Sequence, residues 1–235
     1  MTNFVLLHGA WHGGWCWARV ASILRARGHA VTTPTQTGLG ERRHLLSADI
    51  TLTTFGEDLR LHLEYEDIAE AVLVGHSFGG SALSYAAERA HHRIARLVYL
   101  DSMLVLGGET PFDTVPPDVA ALRRQMAQDY SGGLSLPPPP AAAFGVTGFA
   151  DAAWLEAKMT PHPLSAFESK LEIDGPVGAG LPAEYLLCAQ PVYGPLASSR
   201  ERAQELGWPV REIATGHDAM VTAPEALADM LEDGA

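Results

Sequence analysis

The chain is poor in cysteine, in positive charge and in long apolar runs, and each shortage removes a class of protein. Only two cysteines occur in 235 residues. Cys16 lies in an aromatic stretch and Cys188 in an apolar one, a spacing that fits neither a disulfide framework nor a metal cluster. Lysine and arginine total 16 against 28 acidic residues, a net charge of −12, which argues against nucleic acid or an anionic membrane as partner. No apolar run approaches the roughly 18 residues of a membrane span. Nor does a basic region, apolar signal core or cleavage site stand between Met1 and the first apolar run, so the expected location is cytoplasmic. What remains is ordinary: 47% hydrophobic and 19% charged residues, enough for one α/β domain with a small lid but short for two domains.

One stretch organises the rest. Val72-Leu73-Val74 run into Gly75-His76-Ser77-Phe78-Gly79, and a helix-forming segment (82–90) follows. A strand, a Gly-x-Ser-x-Gly turn and a helix in that order form a nucleophile elbow. The turn strains the backbone at Ser77, so Gly75 and Gly79 must lack side chains. Ser77 Oγ is then held at the carboxyl edge of a parallel sheet, where the helix N-terminus favours negative charge.

The chain around this elbow alternates strand and helix, the pattern of a mostly parallel sheet of about six strands with helices on both faces. Strands are expected at 3–9, 29–33, 72–74, 94–101, 183–189 and 209–213. Helices are expected at 15–27, 52–63, 82–90, 198–206 and 224–231. Thr53 or Thr54 is the expected N-cap of the second helix, and Ser198 or Ser199 that of the fourth. From residue 104 to 180 the alternation breaks. This stretch includes Pro137-Pro138-Pro139-Pro140 and two short helical segments, 117–130 and 151–158. A long strandless excursion of this kind reads as a lid. The expected organisation is core (1–103), lid (104–180), core (181–235).

A serine needs a base within hydrogen-bond reach and an acid that orients the base. In the Gly-x-Ser-x-Gly architecture the base follows the last strand. His217 lies there, and none of the other nine histidines does. The oxyanion hole is expected from the backbone N–H of Phe78, after the nucleophile, and from that of Ala10, in the loop after the first strand. His8 is expected to hold that loop by side-chain hydrogen bonds. Gly9, Trp11 and His12 of the same loop and Trp154 of the lid are the expected substrate contacts, with Phe144 and Phe149 as further apolar lining. For His12 and the lid aromatics, plain packing is the alternative.

The chain resembles the α/β-hydrolase superfamily, in its branch of plant methylesterases and hydroxynitrile lyases with bacterial esterase relatives. The resemblance spans the whole length and rests on His8-Gly9-Ala10-Trp11-His12-Gly13-Gly14-Trp15, Thr37-Gly38-Leu39-Gly40-Glu41-Arg42, Gly75-His76-Ser77-Phe78-Gly79-Gly80 and Gly216-His217. It implies an α/β-hydrolase fold and a serine hydrolase that needs no cofactor or metal. Lyases of the branch carry threonine at the position of Gly9 and lysine after the catalytic histidine. Gly9 and Asp218 stand there instead, which favours hydrolysis.

One departure concerns the acid. Relatives place an aspartate just after the strand that ends near Ala189, but Cys188-Ala189-Gln190-Pro191-Val192-Tyr193-Gly194 holds no carboxylate. Asp101, at the end of the strand beside the serine's strand, is the best substitute, with a structural or substrate-facing role as its alternative. Asp218 is poorly placed to orient the ring of its neighbour. Three readings follow. The first is a serine carboxylic ester hydrolase for a small-to-medium apolar ester or lactone, with a homodimer left open. The second is a lyase or cyclase on the same fold, motivated by the altered acid. The third is a ligand-binding protein, which the retained Ser77 and His217 disfavour.

Overall fold

The computed structural model describes residues 1–234. Six strands form one sheet: β1 (Asn3–Leu7), β2 (Ala30–Thr32), β3 (Ala71–His76), β4 (Ile94–Leu100), β7 (Ala183–Cys188) and β8 (Val210–Ile213). Their order is β2-β1-β3-β4-β7-β8, and every pairing is parallel. All six residues of β3 are buried, as expected of a central strand covered on both faces. The edge strands β2 and β8 expose residues instead.

Chain direction reverses within this order. From β1 the chain moves outward to β2, then crosses back to β3 and proceeds to β4. Right-handed crossovers therefore put α1 (Ala18–Ala26) on one face and α2 (Leu52–Tyr65) and α3 (Gly79–Arg89) on the other. The packing agrees: α1 lies against α9 (Pro224–Glu232), and α2 against α3. The reversal leaves a crevice between the carboxyl ends of β1 and β3, where open α/β sheets bind ligands. Ser77 follows β3 directly, and the His8–Trp11 loop follows β1.

Residues 104–180 contain α4 (Pro117–Ser131), α5 (Phe149–Glu156) and α6 (Leu164–Glu168). They also contain a short antiparallel ribbon of β5 (Ser135–Leu136) and β6 (His162–Pro163), which corrects the expectation of a strandless excursion. Two-residue strands carry no alternation to read. The segment is fastened to the core loops. Thr160 N–H donates to the Trp11 carbonyl at 2.9 Å, Trp11 Nε1 to the Leu136 carbonyl at 3.3 Å, and Ser165 Oγ to the Ile50 carbonyl at 2.7 Å.

Two caps differ from expectation. The N-cap of α2 is Thr51; its hydroxyl accepts from Thr54 N–H while Thr54 Oγ1 accepts from Thr51 N–H, so Thr54 is the third helical residue. The helix α7 (Ala197–Glu205) has Leu196 at its N-cap. Ser198 and Ser199 lie in its first turn and bond the 104–114 segment: Ser198 Oγ donates to the Thr114 carbonyl, and Ser199 Oγ accepts from Leu104 N–H. A short helix, α8 (Ala219–Thr222), interrupts the loop before α9. Among the described residues, no helix is long and apolar enough to cross a membrane.

Candidate active site

The turn at Ser77 is strained and then locked. Its φ is +53°, a left-handed conformation that costs a non-glycine residue about 1–3 kcal/mol. Surrounding bonds hold it there. Ser77 N–H donates to the Leu100 carbonyl at 3.1 Å, and the Ser77 carbonyl accepts from Ser102 Oγ at 2.7 Å and Met103 N–H at 2.9 Å. Close packing requires the neighbouring glycines. A Cβ on Gly79 would lie 2.7 Å from the His8 carbonyl oxygen, and one on Gly80 would lie 2.6 Å from that of Met103.

Three side chains from distant positions meet at this point. His217 Nε2 is 3.0 Å from Ser77 Oγ, and His217 Nδ1 is 2.6 Å from Asp101 Oδ2. Asp101 is 0% exposed and His217 2%. A proton on Nδ1 shared with the carboxylate leaves the Nε2 lone pair facing the serine, the tautomer that accepts the hydroxyl proton. Asp101 follows β4, and its own N–H donates to the Leu186 carbonyl of β7 at 2.7 Å, which fixes the turn that aims its side chain. Its second oxygen, Oδ1, is buried without a partner.

Two rings hold the imidazole of His217. The Tyr193 ring stacks on it at 4.1 Å and 21°, and the His76 ring lies 4.5 Å away. His76 Nε2–H donates to the His217 carbonyl at 3.0 Å. Burial, reinforced by the nearby His217 and His12 rings, pushes the His76 pKa well below the ordinary histidine range, so His76 is a neutral donor.

The β1 loop comes up beside the serine. Ala10 and Phe78 line the same cavity as Ser77, and among the described residues neither backbone N–H has a hydrogen-bond acceptor. A free amide at the N-cap of α3 and a second from the β1 loop, lining one cavity, suit an oxyanion. His8 secures the loop as expected: its Nδ1–H donates to the Gly9 carbonyl at 2.8 Å, and its Nε2 accepts from Gln36 N–H at 3.0 Å. Burial pushes its pKa down to about 3, which keeps the ring neutral, and the two bonds set its tautomer.

The expected substrate contacts divide. Trp11 lines the cavity, its backbone left-handed at φ +64°. Gly9 does not line it but lies under the serine: a Cβ there would stand 2.7 Å from Ser77 Cβ. His12 is a correction. It is 1% exposed, off the cavity, with Nε2 bonded to Asp218 Oδ2 at 3.0 Å and Nδ1 to the Ala10 carbonyl at 2.7 Å. Burial alone would lower its pKa, but the Asp218 carboxylate outweighs burial and holds it above the usual value. Trp154 is also a correction: it packs edge-on against Trp15 at 5.1 Å and under Arg19, away from Ser77. Phe144 is buried against His217, and Phe149 is 91% exposed, so neither lines the cavity.

The cavity in front of Ser77 is partly open to solvent. Met103, Val115, Arg123, Phe167, Tyr193 and Leu196 line it as well, and sequence reasoning missed all six. They come from four separate stretches of chain, and nothing in their local pattern marks one wall. Among the described residues, the cluster of metal-binding donor types is His76, His217 and Asp218, within 4.8 Å of one another. Both His217 nitrogens and His76 Nε2 are already bonded within the protein.

Comparison with known proteins agrees with this architecture. The model of the alpha/beta hydrolase family matches residues 4–230. A carbendazim-hydrolysing esterase from a Nocardioides species is 36% identical over 98% of both chains. A putative chloroplastic methylesterase of Arabidopsis thaliana is 32% identical over 58% of this chain, a match that spans 40% of that relative's length. An extracellular alpha/beta-hydrolase from a Paenibacillus species, said to share structural and functional homology with tobacco salicylic acid binding protein 2, superposes with a TM-score of 0.86. It is 25% identical over 99% of this chain and 98% of its own.

Proposed function

This chain belongs to the alpha/beta hydrolase family, and from that premise we propose a carboxylic ester hydrolase that works through Ser77, His217 and Asp101. The observation that carries the proposal is the unbroken chain from Ser77 Oγ through His217 to the buried Asp101 carboxylate, with bonds of 3.0 and 2.6 Å. Relatives that match along the full length carry names of esterases and hydrolases, in keeping with this chemistry.

In the proposed reaction His217 Nε2 takes the Ser77 proton as Oγ attacks the ester carbonyl. The carbonyl oxygen becomes an oxyanion held by the N–H groups of Ala10 and Phe78. Collapse of the tetrahedral adduct breaks the bond to the alkoxy oxygen, which receives the proton from His217. Water, deprotonated by the same nitrogen, then attacks the acyl-enzyme, returns the proton to Ser77 and releases the acid. The walls of Met103, Val115, Phe167 and Leu196 favour a small-to-medium ester or lactone with an apolar body. Residues 104–180 supply Val115 and Phe167 of those walls, together with Arg123, and act as the cover over the site. The bond between Asp101 and His217 favours hydrolysis over the lyase or cyclase reading that the altered acid motivated.

The test is reaction with a fluorophosphonate beside ester turnover. Wild type is expected to be labelled at Ser77 and to cleave p-nitrophenyl esters, and Ser77→Ala to do neither. Ester cleavage retained by Ser77→Ala would overturn the mechanism.

A further inference from the structure

The cavity in front of Ser77 carries one cation among otherwise largely apolar walls. Arg123, on α4, lines it together with Met103, Val115, Phe167 and Leu196. Its guanidinium carbon lies 5.6 Å from the centroid of the Phe167 ring. Among the described residues it has neither a carboxylate partner nor a hydrogen-bond acceptor, and the one titratable group acting on it is the Tyr193 phenol. The adjacent Arg124, by contrast, bonds Glu168 at 2.7 Å. With 28 acidic residues against 16 basic ones, this chain has no shortage of carboxylates to set beside Arg123.

An unpaired guanidinium in a partly dehydrated apolar wall is costly. The cost appears in its acidity: burial pulls the Arg123 pKa below the ordinary arginine value. The Phe167 contact offsets a fraction of it, since an aromatic face attracts a cation set over it. A carboxylate ligand offsets more, because the planar fork of arginine matches it with two charge-assisted hydrogen bonds. Ser77 and Arg123 line the same cavity, so a small ester bound to the serine lies within reach of the guanidinium.

We propose that Arg123 is the anion-binding residue of the substrate pocket and that the ester cleaved bears a carboxylate a few bonds from the scissile carbonyl. This rests on the esterase reading above and narrows its substrate class. The carboxylate sits on the acid part, as in a half-ester of a short dicarboxylic acid, or on the alcohol part, as in an acylated hydroxy acid. Arg123 binds the same group in both.

The experiment compares each charged ester with a neutral isostere: monomethyl glutarate with methyl 5-methylhexanoate, and 4-acetoxybutyrate with 4-methylpentyl acetate. The ratio of kcat/KM, charged over neutral, is expected to fall roughly 10- to 100-fold in Arg123→Met for at least one pair, mainly through KM, since a hydrogen bond to a charged group is worth that factor. Arg123→Lys should recover part of the loss. A merely structural role would depress both members of a pair alike and leave the ratio in place. Arg123→Gln serves if the methionine variant fails to fold. A ratio that changes less than threefold in both pairs overturns the proposal while the esterase reading stands. If wild type cleaves none of the four esters, calorimetric binding of glutarate decides. Saturable binding lost in Arg123→Met keeps the anion site without the esterase, and no binding overturns the site.

Discussion

Replacing Asp101 with asparagine tests the assignment of the acid most directly. The two side chains have the same shape, so the change is confined to one proton-bearing atom. Asp101 Oδ2 accepts from His217 Nδ1 at 2.6 Å, and Oδ1 is buried with no partner. In asparagine one of these positions becomes an amide NH₂. If the amide oxygen faces His217, the NH₂ occupies the site where nothing is bonded, and a buried unsatisfied donor costs about 1–3 kcal/mol. If the NH₂ faces His217, it donates to Nδ1 and forces the imidazole proton onto Nε2, where it blocks proton transfer from Ser77. The second arrangement is favoured, and the developing imidazolium also loses its counter-charge. The serine-protease template gives about 10⁴ in kcat for the same exchange, about 5.5 kcal/mol of barrier. The expected result is a fall of about 10³–10⁴ in kcat on p-nitrophenyl esters, with KM little changed and the circular dichroism spectrum of wild type. A fall of less than tenfold in a folded variant would refute the reasoning and remove Asp101 from the mechanism.

Further outcomes follow from the packing and the buried histidines. Gly9→Ala sets a methyl 2.7 Å from Ser77 Cβ; overpacking of that kind costs about 1–3 kcal/mol, so both kcat and Tm should drop, and a fully active variant would contradict the close approach. Tyr193→Ala removes the ring stacked 4.1 Å over His217 and should lower kcat about three- to tenfold, since stacked aromatic pairs are worth about 0.5–1.5 kcal/mol. His162→Phe should raise Tm, because both His162 ring nitrogens are buried without partners among Phe55, Phe78 and Phe167; a lower Tm would reveal a polar role. Burial lowers the folded-state pKa values of His8, His76 and His162. Between the unfolded histidine pKa near 6.5 and these lower values the unfolded chain binds more protons. Stability should therefore be full above about pH 6.5 and fall as pH drops below it, ahead of the carboxylate range, by up to about 1.4 kcal/mol per pH unit per histidine. Thermal melts from pH 4 to 8 check this, and a flat profile down to pH 5 would count against it.

The sequence by itself determined whatever depends on neighbours along the chain. Val72-Leu73-Val74 followed by Gly-x-Ser-x-Gly dictates a strand, a strained turn and a helix, because a turn that tight at Ser77 needs glycine on either side. The alternation of apolar strands with helices sets a six-stranded parallel sheet, and the place of His217 after the last strand marks it as the candidate base. Element ends and caps were less legible, since Thr51, Thr53 and Thr54 are chemically alike and only the backbone geometry selects Thr51.

Tertiary structure alone decided what lies between distant segments. Asp101 was one candidate acid in the sequence; its distance of 2.6 Å from a ring 116 positions away depends on β4 lying beside β3 and on the β8 loop folding over both. His12 and Asp218 stand 206 positions apart, and only the fold makes them a buried pair instead of a pocket lining. Residues 104–180 carry little periodicity, so which of their side chains face Ser77 was hidden. Trp154 turned to Trp15 and Phe149 to solvent, while Phe167 and Arg123 turned to the cavity. A helix written by short-range pattern shows which residues share a face, but what that face meets is fixed by the packing of the whole chain.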